Sequence, residues 1–402
     1  MNLRERLART ASDPTTTSDV IYENFGFRKN PFPPSTQTNS NPHAPTAANE
    51  VIDQRIESFI RDHRSQVVVV EGTQGVGKTN LLNYYEQELT DVLTDIEGFY
   101  VVRYLADPEA SFDSTLRRLM QEFDPSRLSD LGAALSEDST VIEQAKGREI
   151  RVALQHLATA VEEAGEDGAV DTVNAFWEWL QGLRILNRHK DLLGVQFRLD
   201  TIESKTLAFR DLVVVSSGAG QLSGIFLLLD ELEKQDGTLS PTQVVRYLSA
   251  MRAIIDALPD HLFMLLAITP DALRRYSVAL PAFRSRLQDT VELHPLSSEE
   301  EALRLANFYI DQAKTEARGK KPTGRSDTFA TVLSSKEIGA LFEEQYKKAS
   351  QRGDDGVRQR EFLHALHLRA EQRIQQHVAD NVQPAATKRS ITRKGVTRKR
   401  AG

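Results

Sequence analysis

The sequence predicts an α/β protein: a parallel sheet flanked by helices, a helical insertion within the sheet's connections, and a C-terminal all-helical domain. Three observations carry this. Short, continuously apolar runs at Gln66-Val67-Val68-Val69-Val70, Ile225-Phe226-Leu227-Leu228-Leu229 and residues 262–268 read as strands covered on both faces. Segments with 3.6-residue apolar spacing separate them, the alternation that builds parallel sheets. After His294-Pro295 the strand runs stop and only helical spacing remains.

Residues 1–48 are read as a flexible N-terminal segment carrying an aromatic docking element. Tyr22, Phe25 and Phe27 are followed by Asn30-Pro31-Phe32-Pro33-Pro34, and a Ser/Thr/Asn/Pro-rich linker spans 35–48. Residues 49–295 form the α/β core. Its first helix, 51–63, places Val51, Ile52, Ile56, Phe59 and Ile60 on one side. The first strand follows at 66–70, then a glycine-rich turn and a helix through Leu81, Leu82, Tyr85 and Leu89. Residues 98–105 read as a second strand. The block at about 110–210 is read as the helical insertion, with spacing for helices over 111–123, 140–163 and 172–186. The run at 225–229, a helix over 241–258, the run at 262–268 and a fifth strand at 290–293 complete the core. Residues 296–380 hold helices at 298–316, 334–348 and 356–378, the first opened by Ser297 or Ser298 with an acid three residues on. Residues 381–402 are a basic tail, read as disordered.

Composition narrows the function classes. The chain has 402 residues, 40% hydrophobic and 27% charged, as expected of a soluble globular protein. The formal net charge of −7 excludes a uniformly basic nucleic-acid coat, although Lys388, Arg389, Arg393, Lys394, Arg398, Lys399 and Arg400 concentrate positive charge in the tail. The absence of cysteine excludes disulfides, thiolate metal sites and cysteine nucleophiles. The start MNLRERLART lacks the apolar region of a secretory signal, and no apolar run approaches the ~20 residues of a membrane span. A cytoplasmic protein with no membrane partner is the expectation.

Gly72-Thr73-Gln74-Gly75-Val76-Gly77-Lys78-Thr79 fits the G-x-x-x-x-G-K-[ST] phosphate-binding pattern, and it stands between a β-branched strand and a helix, the context that the chemistry needs. The glycines let the backbone turn its N–H groups toward phosphate oxygens, and the next helix adds the positive end of its dipole. Lys78 is expected to neutralise the β- and γ-phosphates, and the Thr79 hydroxyl to ligate Mg²⁺. Asn80 follows in the same helix. Asp230 and Glu231 end the second apolar run, Asp230 as a second Mg²⁺ ligand and Glu231 as the base for an attacking water. Thr269 ends the third run, where a hydroxyl can orient water. Arg284 and Arg286 are both candidates for an arginine that reaches a neighbour's γ-phosphate. Arg358 opens a helix of the last domain and is a candidate nucleotide contact. His364 and His367 share that helix but lack an obvious third metal ligand. Trp177 and Trp179 are expected to pack the core of the insertion.

This order of motifs resembles the AAA+ P-loop ATPases, and most of all their initiator-like branch of origin-recognition, transposition-helper and secretion-type ATPases. Gly72–Thr79 resembles Walker A, Leu227-Leu228-Leu229-Asp230-Glu231 resembles Walker B, Thr269 matches sensor 1, Phe283-Arg284-Ser285-Arg286-Leu287 is similar to the arginine-finger segment, and Arg358 matches sensor 2. Phe25-Gly26-Phe27 with Pro31-Phe32 looks like the opening element of the transposition and secretion relatives. The resemblance covers roughly residues 22–110 and 221–375. It implies an ATPase using ATP and Mg²⁺, a homo-oligomer joined through its nucleotide sites, and a DNA or DNA-processing partner. The insertion is longer than the family core requires and no winged helix is read after the lid, so DNA contact falls to the insertion, the tail or an assembled ring surface. Two rival functions remain: an ATP-dependent signalling switch, and a protein-directed assembly or secretion ATPase that ignores DNA.

Overall fold

A computed structural model describes residues 22, 24–34, 41–93, 96, 98–105, 112–234, 238–287, 289–317 and 330–382. The start of the chain and the basic tail at 388–400 lie outside the described residues. The chain divides into two compact units, Thr38–His294 and the combination of Met1–Gln37 with Pro295–Gly402.

The first unit runs α1 (Ala47–Asp62), β1 (Gln66–Gly72), α2 (Lys78–Leu93), β2 (Phe99–Leu105), α3 (Asp113–Gln121), α4 (Pro125–Glu137), α5 (Arg148–Gly168), α6 (Val170–Leu180), α7 (Asn187–Leu193), α8 (Ile202–Gly218), β3 (Gly224–Asp230), α9 (Pro241–Ala257), β4 (Leu262–Ile268), α10 (Pro270–Ala279), α11 (Pro281–Arg284) and β5 (Asp289–Leu293). The five strands form one sheet in the order β2-β3-β4-β1-β5. Every pairing is parallel, which places all five strand C-termini along one edge.

The continuous apolar runs are explained by burial on both faces, and the period of two sorts them. Val67, Val69, Ile225, Leu227, Leu229, Met264 and Leu266 pack into one cluster with residues of α3–α6 and α8–α10. Val68, Val70, Phe226, Leu228, Phe263 and Leu265 face the opposite cluster, built with α1 and α2. There Phe59 meets Phe226 edge-on at 5.1 Å between ring centroids. The helical block predicted as an insertion therefore shares one continuous core with the sheet. It also runs on through α8 to Gly218, beyond the predicted end at about 210.

Helix boundaries moved for local reasons. The helix predicted over 140–163 begins at Arg148, because Ser139–Gln144 forms a 3-10 turn and the Gly147 N–H is taken by the Asp211 carboxylate at 2.6 Å. The helix predicted over 172–186 stops at Leu180, and Gly182 follows with φ 71°. The Asp124 side chain caps α4 by accepting from Arg127 N, with Pro125 at the first turn.

The second unit holds α12 (Glu299–Glu316), α13 (Ser335–Arg352) and α14 (Gln359–Val382). Ser298 caps α12 and Ser334 with Glu337 makes a reciprocal capping box on α13. Leu296 and Val357 exchange two backbone hydrogen bonds of 2.8 Å, which tie the entry of α12 to the entry of α14. The aromatic element packs in this same unit: Phe25, Phe27 and Phe32 are buried. Tyr22 donates to Glu371 at 2.5 Å, Asn30 Nδ2 donates to the His367 carbonyl at 3.1 Å, and His367 Nδ1 lies 2.7 Å from the Phe32 carbonyl. His367 is thus a structural contact to the aromatic element. No helix among the described residues is long and apolar enough to cross a membrane.

Candidate nucleotide site

The site lies where β1, β4 and β3 end, the edge of a parallel sheet at which ligands bind. β4 separates the other two. Pairing of Glu71 with Ile268 brings Gly72 level with Thr269, and pairing of Leu229 with Leu266 brings Asp230 beside Ala267. The predicted phosphate loop and the acid pair thus flank Thr269 across one strand.

The loop closes on its own lysine. Gly75 and Gly77 take φ of 86° and 109°, which side chains rarely adopt. Gly72 is needed for space: a Cβ there would lie 2.7 Å from Val76 Cγ2 and 2.9 Å from the Leu293 carbonyl oxygen. Lys78 opens α2, is buried, and donates from Nζ to the carbonyls of Gly72 at 2.7 Å and Thr73 at 3.3 Å. Thr79 follows it in the first turn, so an anion at this helix end meets N–H groups, the dipole and the ammonium together. Thr73 and Gln74 are exposed at the mouth of the loop. Asn80 donates to the Pro42 carbonyl at 3.2 Å, and His43 lies 5.1 Å from the Tyr84 ring. The segment upstream of α1 thereby lines the start of α2. Burial lowers the His43 imidazole pKa, against a raising hydrogen bond with Asn49.

Asp230 is buried at 1% exposure. Its Oδ1 accepts the Glu231 N–H at 2.9 Å, and its Oδ2 pairs with Arg103 Nη2 at 2.8 Å. Glu231 has φ 56°, a left-handed conformation that costs a non-glycine residue about 1 kcal/mol or more and that concentrates at functional sites. Its carboxylate is ion-paired with Lys234. Thr269 caps α10 without a side-chain cap bond, so its hydroxyl is not spent on the helix.

The remaining candidates are placed as follows. Arg284 ends α11 and is exposed. Arg286 pairs through Nε with Asp256 of its own chain at 2.5 Å, and Asp256 also binds Arg252 at 3.1 Å. Arg358 belongs to the second unit, 3.2 Å from Asp354 and 3.9 Å from Glu361. Trp179 is buried and donates to the Phe197 carbonyl at 3.0 Å, and Trp177 packs against the same core. No group of three or more His, Cys, Asp or Glu among the described residues could hold a metal.

Two site residues escape the motifs. Arg103 of β2 reaches Asp230 because β2 pairs with β3. It also lies 3.8 Å from Glu86, and its Nη1 is buried without a hydrogen-bond partner. Glu233 is the second: its Oε1 stands 3.9 Å from Lys78 Nζ. The lone charge of Arg103 within the apolar second strand is a signal in the sequence, but its partner depends on strand order. Glu233 gives none, since an acid three residues past Asp230 reads as an ordinary polar turn.

No family model matches the chain, and no curated protein matches it at a significant level. Among solved structures, the chain is similar to the ADP form of the ORC2 protein of Aeropyrum pernix, with a TM-score of 0.37 and 10% identity over 84% of this chain and 73% of that one. The same protein in its ADPNP–ADP complexes gives a TM-score of 0.38 and 11% identity over 87% of this chain and 72% of that one. At such values residue roles follow from the chain's own geometry alone.

Proposed function

We propose that the protein is an ATPase of the AAA+ type that is cytoplasmic, assembles through its nucleotide sites and couples hydrolysis to remodelling or loading of a DNA-associated partner. The observation that carries the ATPase reading is the juxtaposition across β4: Lys78 seated in its glycine loop on one side, and Asp230 with Glu231 on the other. The loop from Gly72 to Thr79 holds the phosphates, and Lys78 turns from its carbonyl partners to the β- and γ-oxygens. Glu231 accepts the proton of the attacking water once Lys234 releases its carboxylate, and Thr269 orients that water. Either Arg284 or Arg286, from a neighbouring copy, stabilises charge on the transferring phosphoryl group. Arg358 is a further candidate for contact with the nucleotide.

The residues fit Mg²⁺. A hydroxyl at Thr79 and a carboxylate at Asp230 are hard oxygen donors, and Mg²⁺ at phosphate sites takes one or two protein ligands with the rest from phosphates and water. When bound, it neutralises charge between the β- and γ-phosphates.

The test is ATP hydrolysis by the purified protein, with and without duplex and single-stranded DNA, at low and moderate salt, with Lys78→Ala as the blank. Turnover that DNA stimulates and salt suppresses is the expected result. Turnover equal to that of Lys78→Ala removes the ATPase reading. Lys78-dependent turnover that ignores DNA removes the DNA coupling and leaves a switch or a protein-directed ATPase.

A further inference from the structure

The motif acids are Asp230 and Glu231, yet the carboxylate beside the phosphate-loop lysine is that of Glu233. Lys78 Nζ is held by the Gly72 and Thr73 carbonyls, and Glu233 Oε1 stands 3.9 Å away. The other carboxylate oxygen, Oε2, is buried with no hydrogen-bond partner. The Glu233 side chain is 25% exposed, so water screens it only in part, whereas Glu231 is 38% exposed and turns to Lys234. Burial raises the Glu233 carboxyl above its ordinary range, and Asp230 and Glu231 push the same way against its own backbone N–H and Lys78. The other cation of the site, Arg103, is committed to Asp230. Glu233 is thus the carboxylate that stands beside Lys78, while Asp230 is paired with Arg103 and Glu231 with Lys234.

We infer that Glu233 is a positioning residue for Lys78, and that its charge makes nucleotide binding conditional on a divalent cation. The inference rests on the nucleotide-site reading above. A nucleoside triphosphate arriving bare brings its full negative charge against Glu233 and competes with it for Lys78. The same nucleotide arriving as its Mg²⁺ complex carries less net charge and suffers less repulsion. Neutralising Glu233 therefore relieves the bare nucleotide more than the complexed one. A single charge about 8 Å from the phosphates, at an effective dielectric near 30, changes affinity about tenfold.

The experiment is titration of the full chain with a fluorescent ATP analogue, once in EDTA and once in excess Mg²⁺, for the wild type, Glu233→Gln, Glu233→Asp and Lys78→Ala. Glu233→Gln is expected to tighten binding in EDTA about tenfold, or to bring it into the measurable range, and to change binding in Mg²⁺ less than about threefold. Glu233→Asp keeps the acid and should keep the wild-type ratio of the two affinities, which a merely structural role would not require. Unchanged or weaker EDTA affinity in Glu233→Gln overturns the inference, and so does equal tightening in both buffers. If Lys78→Ala binds as the wild type does, the nucleotide-site reading fails instead. Loss of binding in Lys78→Ala with no response to Glu233→Gln sinks the inference alone.

Discussion

Arg103→Met tests the electrostatic frame of the site through stability rather than turnover. The Arg103 and Asp230 side chains are 10% and 1% exposed and meet at 2.8 Å. Two unit charges about 4 Å apart at an effective dielectric near 20 attract by about 4 kcal/mol, and removing one partner of a buried pair typically costs 3–5 kcal/mol. Asp230 retains the Glu231 N–H at 2.9 Å, which offsets part of the loss. The expected cost of Arg103→Met is therefore about 3 kcal/mol. Asp230→Asn leaves a buried guanidinium that still has Glu86 at 3.8 Å, and its expected cost is smaller, about 2 kcal/mol. The double variant removes both charges and should fall short of additivity by about 2 kcal/mol. The assay is urea unfolding followed by tryptophan fluorescence. Both tryptophans of the chain, Trp177 and Trp179, belong to the sheet-bearing unit, so the signal reports the unit that contains the pair. A cost below about 1 kcal/mol for Arg103→Met, or an additive double variant, would refute the reasoning and show that water screens the pair despite its burial.

Three further outcomes follow from particular contacts. Gly72→Ala places a Cβ 2.7 Å from Val76 and 2.9 Å from a backbone carbonyl, so it should cost about 1–3 kcal/mol and weaken nucleotide binding, both readable by melting with and without ATP. Of Arg284→Ala and Arg286→Ala, one should lower ATP turnover by at least about a hundredfold with little change in nucleotide affinity, and steady-state kinetics in which neither variant responds would remove the trans-acting arginine. Glu337 of the α13 capping box has its carboxyl lowered chiefly by the Ser334 backbone N–H and then by the Ser334 side chain. Its contribution is therefore present above the ordinary glutamate value and lost as pH falls through the lower folded value. Amide protection factors at the start of α13, taken relative to the intrinsic exchange rate at each pH, should fall at acid pH in the wild type, and Ser334→Ala, expected to cost about 1 kcal/mol, should lower them already at neutral pH.

What the sequence revealed was whatever local chemistry dictates. The glycine loop, the acids at the end of β3 and the capped start of α12 depend on neighbours within a few residues, so spacing suffices to find them. That the helical block packs on the shared sheet face did not show, because an amphipathic helix exposes the same pattern whether it covers its own small core or the sheet. Val69, Leu227 and Met264 lie in one cluster with Leu157 and Phe209, contacts that join distant parts of the chain. The aromatic element posed the same difficulty: Phe25, Phe27 and Phe32 announced burial, but their setting includes Glu371, which accepts from Tyr22, and His367 beside the Phe32 carbonyl.

The charge balance of the site is where this distinction matters for function. Walker-type spacing names Lys78, Asp230 and Glu231, and by those residues alone the carboxylate proposed for Mg²⁺ would be free and the lysine would have no carboxylate beside it. Strand order changes both. Because β2 sits beside β3, Arg103 occupies one oxygen of Asp230, and because the chain turns back after β3, Glu233 opposes Lys78. A cation entering the site must therefore share Asp230 with a guanidinium, and a nucleotide must draw Lys78 away from a carboxylate. Each is a Coulombic cost of a few kcal/mol at these separations before solvent screening, enough to set affinity over one to two orders of magnitude. Arg103 and Glu233 are therefore expected to act, with Gly72 and Lys78, on how readily the pocket fills, whereas Glu231 and Thr269 are expected to act on the filled site. Variants of Arg103 and Glu233 should move KM, and Glu231→Gln and Thr269→Ala should move kcat.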